Sequence, residues 1–137
     1  MTRKINVLLV DDSRTVLAQI ERILSEVEDL AIVGMAREGA AEFRMATESQ
    51  PRLVLMDSVL PALDGPSALR TLKSMHPTME VAMVSSVCGD AQKAEEAFRL
   101  GACQVLGKPF DPEIIESLVE TVRMSLEDQA GDDGEAD

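Results

Sequence analysis

Two short stretches decide the fold: Ile5-Asn6-Val7-Leu8-Leu9-Val10-Asp11-Asp12 and Leu53-Val54-Leu55-Met56-Asp57. Each is a nearly continuous apolar run that ends in acid. A strand with one wet face alternates apolar and polar residues. A run without that alternation is buried on both faces, as in a parallel sheet covered by helices. If the two runs are neighbouring parallel strands, three carboxylates meet at one sheet edge. Like charges that close repel strongly, so the arrangement calls for a divalent cation or a protonation event.

Apolar runs alternate with amphipathic stretches five times along the chain, the pattern of an α/β domain with a doubly wound parallel sheet. Strand one is placed at 5–10. Helix one spans about 13–27, with Val16, Leu17, Ile20, Ile23, Leu24 and Val27 on one stripe and Asp12 or Ser13 as its cap. Strand two falls at 31–35 and helix two at 38–49, stopped by Gln50-Pro51 before strand three at 52–57. Asp64-Gly65-Pro66 reads as a turn followed by a first-turn proline, giving helix three over 66–75, closed by His76-Pro77. Strand four is expected at 80–85 and helix four at 90–100, with Gly101 just past its end and strand five at 102–106. Asp111-Pro112-Glu113 opens helix five, whose buried stripe is Ile114, Ile115, Leu118, Val122 and Leu126.

The chain has 137 residues, room for one domain with a substantial core. Its formal net charge is −12, and half of that excess lies in residues 127–137, which contain six acids and no base. That segment has almost nothing apolar to bury, so a domain over 1–126 followed by a disordered acidic tail is expected. An acidic body without a basic patch speaks against direct nucleic-acid binding, because phosphate contacts require clustered Lys and Arg. No run approaches the roughly 20 apolar residues that span a bilayer, and no export signal is visible, so a cytoplasmic location is expected. Cys88 and Cys103 have no metal-type spacing and are read as packing residues. His76, the single histidine, precedes a proline at a helix end and is read as a surface residue.

In open α/β sheets, ligands bind at the carboxyl ends of the strands. Those ends hold Asp11 and Asp12, Asp57, Ser85 with Ser86, and Lys108 with Pro109. Hard oxygen ligands without histidine or thiolate select Mg²⁺ or a similar ion, and a lysine beside them faces an anion, most naturally phosphate. Taken singly, each has a bland reading. Asp12 caps a helix, Asp57 makes an Asx turn, Ser85 is a loop hydroxyl, Lys108 is a solvated surface cation and Pro109 ends a strand.

Together they resemble the receiver domains of two-component response regulators, over residues 4 to about 126. The matching pattern is Asp11-Asp12, Asp57, Pro61 with Asp64-Gly65, Ser85, and Lys108-Pro109, in order and each at the end of its own element. The resemblance implies a flavodoxin-like (βα)5 fold with strand order 2-1-3-4-5. It makes Asp57 the phosphoacceptor and assigns Mg²⁺ to Asp11, Asp12, Asp57 and the Val59 carbonyl. Lys108 would pair with Asp57 and later with the phosphoryl group, while Ser85 and the amide of Ser86 would donate to it. The implied partners are a histidine kinase or phosphotransfer domain and a downstream protein of unknown identity. A homodimer through helix four, strand five and helix five is left open. By the same resemblance the domain is no enzyme beyond its own phosphorylation and dephosphorylation.

Some positions depart from the common pattern. Where many receivers carry a Tyr or Phe switch residue three before the lysine, this chain has Val105. Val59 and Val87 flank the acceptor site with aliphatic groups that cannot orient water, so slow self-dephosphorylation is expected. Met83-Val84-Ser85-Ser86 and Val33-Gly34-Met35-Ala36 are similar to the receivers of chemotaxis methylesterases. With no effector domain after helix five, the expectation is a stand-alone receiver of chemotaxis type, the acidic tail reading equally as the start of a truncated linker. An aspartyl-phosphate-forming small-molecule phosphatase is the alternative, although it would carry an Asp-x-Asp motif on strand one and a substrate cap. A flavodoxin relative would need aromatic rings to sandwich its flavin, and the chain has three Phe and no Trp or Tyr.

Overall fold

The computed structural model describes residues 5–28, 30–57, 59–60, 63–85, 91–107 and 112–136, with backbone alone at 59, 60, 63, 91, 93 and 125–136. The elements are β1 (Ile5–Val10), α1 (Arg14–Ser25), β2 (Leu30–Ala36), α2 (Gly39–Ser49), β3 (Leu53–Asp57), β4 (Val59–Leu60), β5 (Leu63–Asp64), α3 (Gly65–Met75), β6 (Glu80–Ser85), α4 (Ala91–Arg99), β7 (Gln104–Gly107) and α5 (Pro112–Ala136). Five strands form one sheet in the order β2-β1-β3-β6-β7, parallel throughout. This is the expected 2-1-3-4-5 order, because β4 and β5 pair only with each other.

Alternation along the strands divides the core into two layers. Leu8, Val10, Val54, Met56, Val81 and Met83 face Ala46 of α2, Ala68, Leu69 and Leu72 of α3, and Ala97 of α4. Ile5, Val7, Leu9, Leu53, Leu55, Ala82 and Leu106 face Leu17, Ile20 and Leu24 of α1 and Ile115, Leu118, Val119 and Val122 of α5. Burial on both faces is the reason the strand sequences lack polar alternation. Each fully buried aliphatic side chain contributes about 1.5–3 kcal/mol.

The expected punctuation acts where it was placed. Gln50 ends α2 in the left-handed region at φ 47°, and His76 closes α3 through its amide to the Leu72 carbonyl at 2.8 Å. Past α4, Gly101 sits at φ 110°. Its amide bonds Phe98 O at 3.1 Å, and that of Ala102 bonds Ala97 O at 3.0 Å, the paired bonds of a Schellman ending.

Three differences have local causes. The Schellman bonds consume residues 101 and 102, so β7 begins at Gln104 rather than 102. The β4–β5 pair was not foreseen, since two-residue strands leave no periodic signal. Third, α5 is helical through Ala136, past residue 126 where the domain is expected to end. Lengthening an established helix needs no new nucleus, so the acid-rich segment can follow α5 despite Gly131 and Gly134. No helix among the described residues is long and apolar enough to cross a membrane.

Candidate functional site

Strand register builds the site. Val10 of β1 stands opposite Met56 of β3, so Asp11 and Asp57 are the next residues along two adjacent strands. Asp57 stands opposite Val84 of β6, which places Ser85 one residue further on. Ser85 in turn pairs with Gly107 at the end of β7.

One oxygen from each of Asp11, Asp12 and Asp57 lies within 4.8 Å of the others. Asp11 and Asp57 are buried, at 2% and 6% exposure, while Asp12 is open to solvent. The cluster therefore has a buried floor and a wet rim. Asp11 is held at both ends: its amide donates to the Ala36 carbonyl at 3.0 Å, and its Oδ1 accepts from the Ser13 amide at 2.9 Å. Of the two expected caps for α1, Ser13 does the capping, with Oγ accepting from the Val16 amide at 3.3 Å. The Asp12 carboxylate is thereby left for the cluster. Asp57 and Ser85 each have further polar interactions.

The donor set suits a hard cation. Ligands at about 2.1 Å in an octahedron stand about 3.0 Å apart in cis and 4.2 Å in trans. Separations of up to 4.8 Å fit that shell after a small rotation, or with one carboxylate acting through water. Among the described residues no nitrogen or sulfur ligand joins the cluster, a donor set that suits Mg²⁺ better than zinc or copper.

Sequence reasoning missed the support for this edge. Arg37, the residue after β2, donates from its guanidinium to the Asp12 carbonyl at 3.2 Å, and nothing in local periodicity marks that 25-residue separation. Asp64 was foreseen as a turn residue; it is the N-cap of α3 and accepts from the Ser67 hydroxyl. Val59 opens β4, two residues beyond Asp57, and its backbone pairs with Asp64. Val105 is partly buried against the core layer of α2, α3 and α4. Lys108, Pro109, Ser86, Val87 and Cys88 lie outside the described residues. Cys103 is a free thiol; burial, and secondarily the neighbouring Glu80 carboxylate, push it up to about 12. That behaviour suits a packing residue.

A doubly wound sheet with an acidic cluster at the carboxyl ends of its strands defines an α/β domain whose ligand site lies at that edge. Residues 7–120 match the family model for the response regulator receiver domain. The chain belongs to that family, and is thus a phospho-accepting domain of two-component signalling.

It is 36% identical over 105 residues to protein-glutamate methylesterase/protein-glutamine glutaminase 5 of Myxococcus xanthus, covering 77% of this chain and 30% of that protein. A second such protein, from Caldanaerobacter subterraneus, is 34% identical over 109 residues, covering 80% and 30% respectively. The chain thus spans about a third of the length of these curated relatives. Among solved structures, the response regulator domain of Thermotoga maritima CheB superposes with a TM-score of 0.77 at 32% identity, covering 91% of this chain and 98% of that one. A chain of the CheX-CheY-BeF3-Mg complex from Borrelia burgdorferi gives a TM-score of 0.81 at 25% identity, with coverage of 88% and 90%.

Proposed function

We propose that Asp57 is the phosphoacceptor of a chemotaxis-type receiver that works with Mg²⁺ in the cytoplasm. The observation that carries this reading is the three-carboxylate cluster at the ends of β1 and β3, with Ser85 at the end of the next strand. An Asp57 oxygen attacks the phosphorus of a phosphohistidine, the bond from phosphorus to the imidazole nitrogen breaks, and the imidazole leaves after taking up a proton. The product is an acyl phosphate on Asp57. Mg²⁺ bound by Asp12, Asp57 and the Val59 carbonyl, with Asp11 acting partly through water, would neutralise the charge gathering on the phosphoryl oxygens.

The remaining residues position and read the product. Lys108 pairs with Asp57 before transfer and with a phosphoryl oxygen after it. The Ser85 hydroxyl and the Ser86 amide donate to the phosphoryl group. With Val105 in the usual aromatic position, readout runs through strand pairing: Ser85 and Val105 both lie on the β6–β7 ladder, the latter opposite Met83. The edge strand β7 is flanked by α4 and α5, which expose Phe98 and Ile114. That face suits a downstream protein or a second copy of the chain, and a histidine kinase or phosphotransfer domain supplies the phosphoryl group. The chemotaxis assignment is supported by likeness to the CheB receiver.

The deciding experiment incubates the protein with Mg²⁺ and acetyl phosphate or beryllofluoride, following amide NMR shifts in wild type and Asp57→Asn. Wild type should gain one phosphoryl group, with shifts at the ends of β1, β3 and β6. Asp57→Asn should gain none. A wild type indifferent to both reagents would overturn the reading.

A further inference from the structure

Besides Asp11 and Asp57, one other acid among the described residues is buried: Glu42, at 0% exposure in the first half of α2. Neither of its carboxyl oxygens has a hydrogen-bond partner among the described residues. It shares the inward stripe of α2 with Gly39 and Ala46 at helical spacing. Nothing in the phosphoryl site uses it. A buried carboxylate without partner or counter-ion is costly enough that such a group takes up a proton instead.

Among the described residues, the elements packed against Glu42 offer no counter-ion. The helix packs on β1 and β2, whose sequences INVLLV and LAIVGMA contain no titratable side chain. On α2 itself, Glu38, Arg44 and Glu48 are exposed. On α3, Arg70 is exposed, and the Lys73 ammonium is bonded to the carbonyls of Pro77 and Met79 at 2.9 and 2.8 Å. Burial alone pushes the Glu42 carboxyl up to about 8.

We propose that Glu42 makes the docking of α2 proton-linked: protonated, it seats the helix on β1 and β2, and ionised, it releases it. The sign follows from linkage. Free in solvent the group ionises near its ordinary 4.5, and seated only near 8, so seating takes up a proton throughout that window. Docking weakens as pH rises from about 4.5 to 8 and levels off above. Release reaches the phosphoryl site through the backbone, since Arg37, which holds the Asp12 carbonyl, stands just before the Glu38 N-cap of α2.

Native-state amide hydrogen exchange tests this in the full chain without metal or phosphoryl donor, so its outcome is independent of the phosphoacceptor reading. Corrected for intrinsic rates, the opening equilibrium of α2 amides should rise about fifty-fold between pH 6 and pH 8 in wild type. In Glu42→Gln, and in Glu42→Met should the amide fold poorly, it should stay flat. His76 is retained in both variants and cancels in the comparison. Equal pH dependence in wild type and variants, or α2 protection unchanged from pH 6 to 8 in wild type, would overturn the proposal.

Discussion

Replacing Asp57 by Asn should stabilise the metal-free protein while removing most of its stabilisation by Mg²⁺. Two unit charges 4.8 Å apart repel by about 3.5 kcal/mol at an effective dielectric of 20. Asp57 takes part in two such pairs. The one with Asp12 is screened, because that residue faces solvent; the one with Asp11 is buried on both sides. Relaxation and residual solvent screening reduce the repulsion, so a net gain of about 1–2 kcal/mol is expected on neutralising Asp57. For a chain of this length that is about 3–8 °C in Tm. Mg²⁺ at a hundred times its Kd adds about 2.7 kcal/mol to wild type, some 8–10 °C. With one ligand removed the variant should gain a small fraction of that. The two proteins therefore exchange rank: Asp57→Asn melts higher in EDTA, and wild type melts level with it or higher at saturating Mg²⁺. Because the chain has no Trp or Tyr, the melts should be followed by far-ultraviolet circular dichroism. Asp12→Ala should also lose much of the Mg²⁺ shift, with little gain in EDTA because its charge is exposed. A variant at Asp57 that melts below wild type in EDTA, or that keeps the full Mg²⁺ shift, would refute the reasoning.

Gly101→Ala should cost about 2–4 kcal/mol in urea denaturation. The new Cβ would enter the φ 110° conformation 2.9 Å from Lys73 Cγ, on a side chain tethered at its ammonium. In a Lys73→Ala background, part of that cost should disappear. Ser13→Ala should cost about 1 kcal/mol through loss of the α1 cap, and should leave Mg²⁺ affinity unchanged because the Ser13 amide to Asp11 survives. Phosphorylated protein should lose its label slowly in Mg²⁺ buffer, given Val59 and Val87 beside the acceptor; a lifetime of seconds would contradict that. In a Cys88→Ser background, Cys103, held at about 12, should be alkylated at pH 8 about a thousand-fold more slowly than a free thiol, and at the ordinary rate in urea.

The strands and the floor of the site were legible for one reason. A run buried on both faces must be apolar throughout, so the first polar residue marks where the strand leaves the core. Asp11, Asp57 and Ser85 fall at those exits, and parallel register brings them together. Helix ends were readable where a residue has a steric specialty, as Gly101 does. The β4–β5 pair was not, because its bonds lie within one loop and obey no period. Nor was Arg37, whose acceptor, the Asp12 carbonyl, lies in the loop after β1. Glu42 did leave a signal, three residues after Gly39 and four before Ala46 on the buried stripe. Glutamate is a strong helix former, and the expectation that charge faces water hid the conflict.

Gly34 shows how the edge of the sheet is adapted to hold the acidic pair. The β1–β2 register slips between Val7 and Leu8, leaving Val33 as the extra residue and turning it out to 38% exposure. After the slip, Gly34 lies so close to the neighbouring layer that a Cβ would meet Leu8 Cδ1 at 3.3 Å and Met45 Sδ at 3.4 Å. The slip restores pairing of Leu9 with Met35 and Val10 with Ala36, and that last pair aims the Ala36 carbonyl at the Asp11 amide. Gly34→Ala should therefore act on the site as well as on stability. Met45 can give way by a few tenths of an ångström, but Leu8 is fully buried, so the strands must separate slightly. A cost of about 1 kcal/mol is expected, with protection of the Asp11 amide against hydrogen exchange falling more than that of Leu9. Equal loss at both amides would mean that the bulge serves the core alone and has no part in aiming the acids.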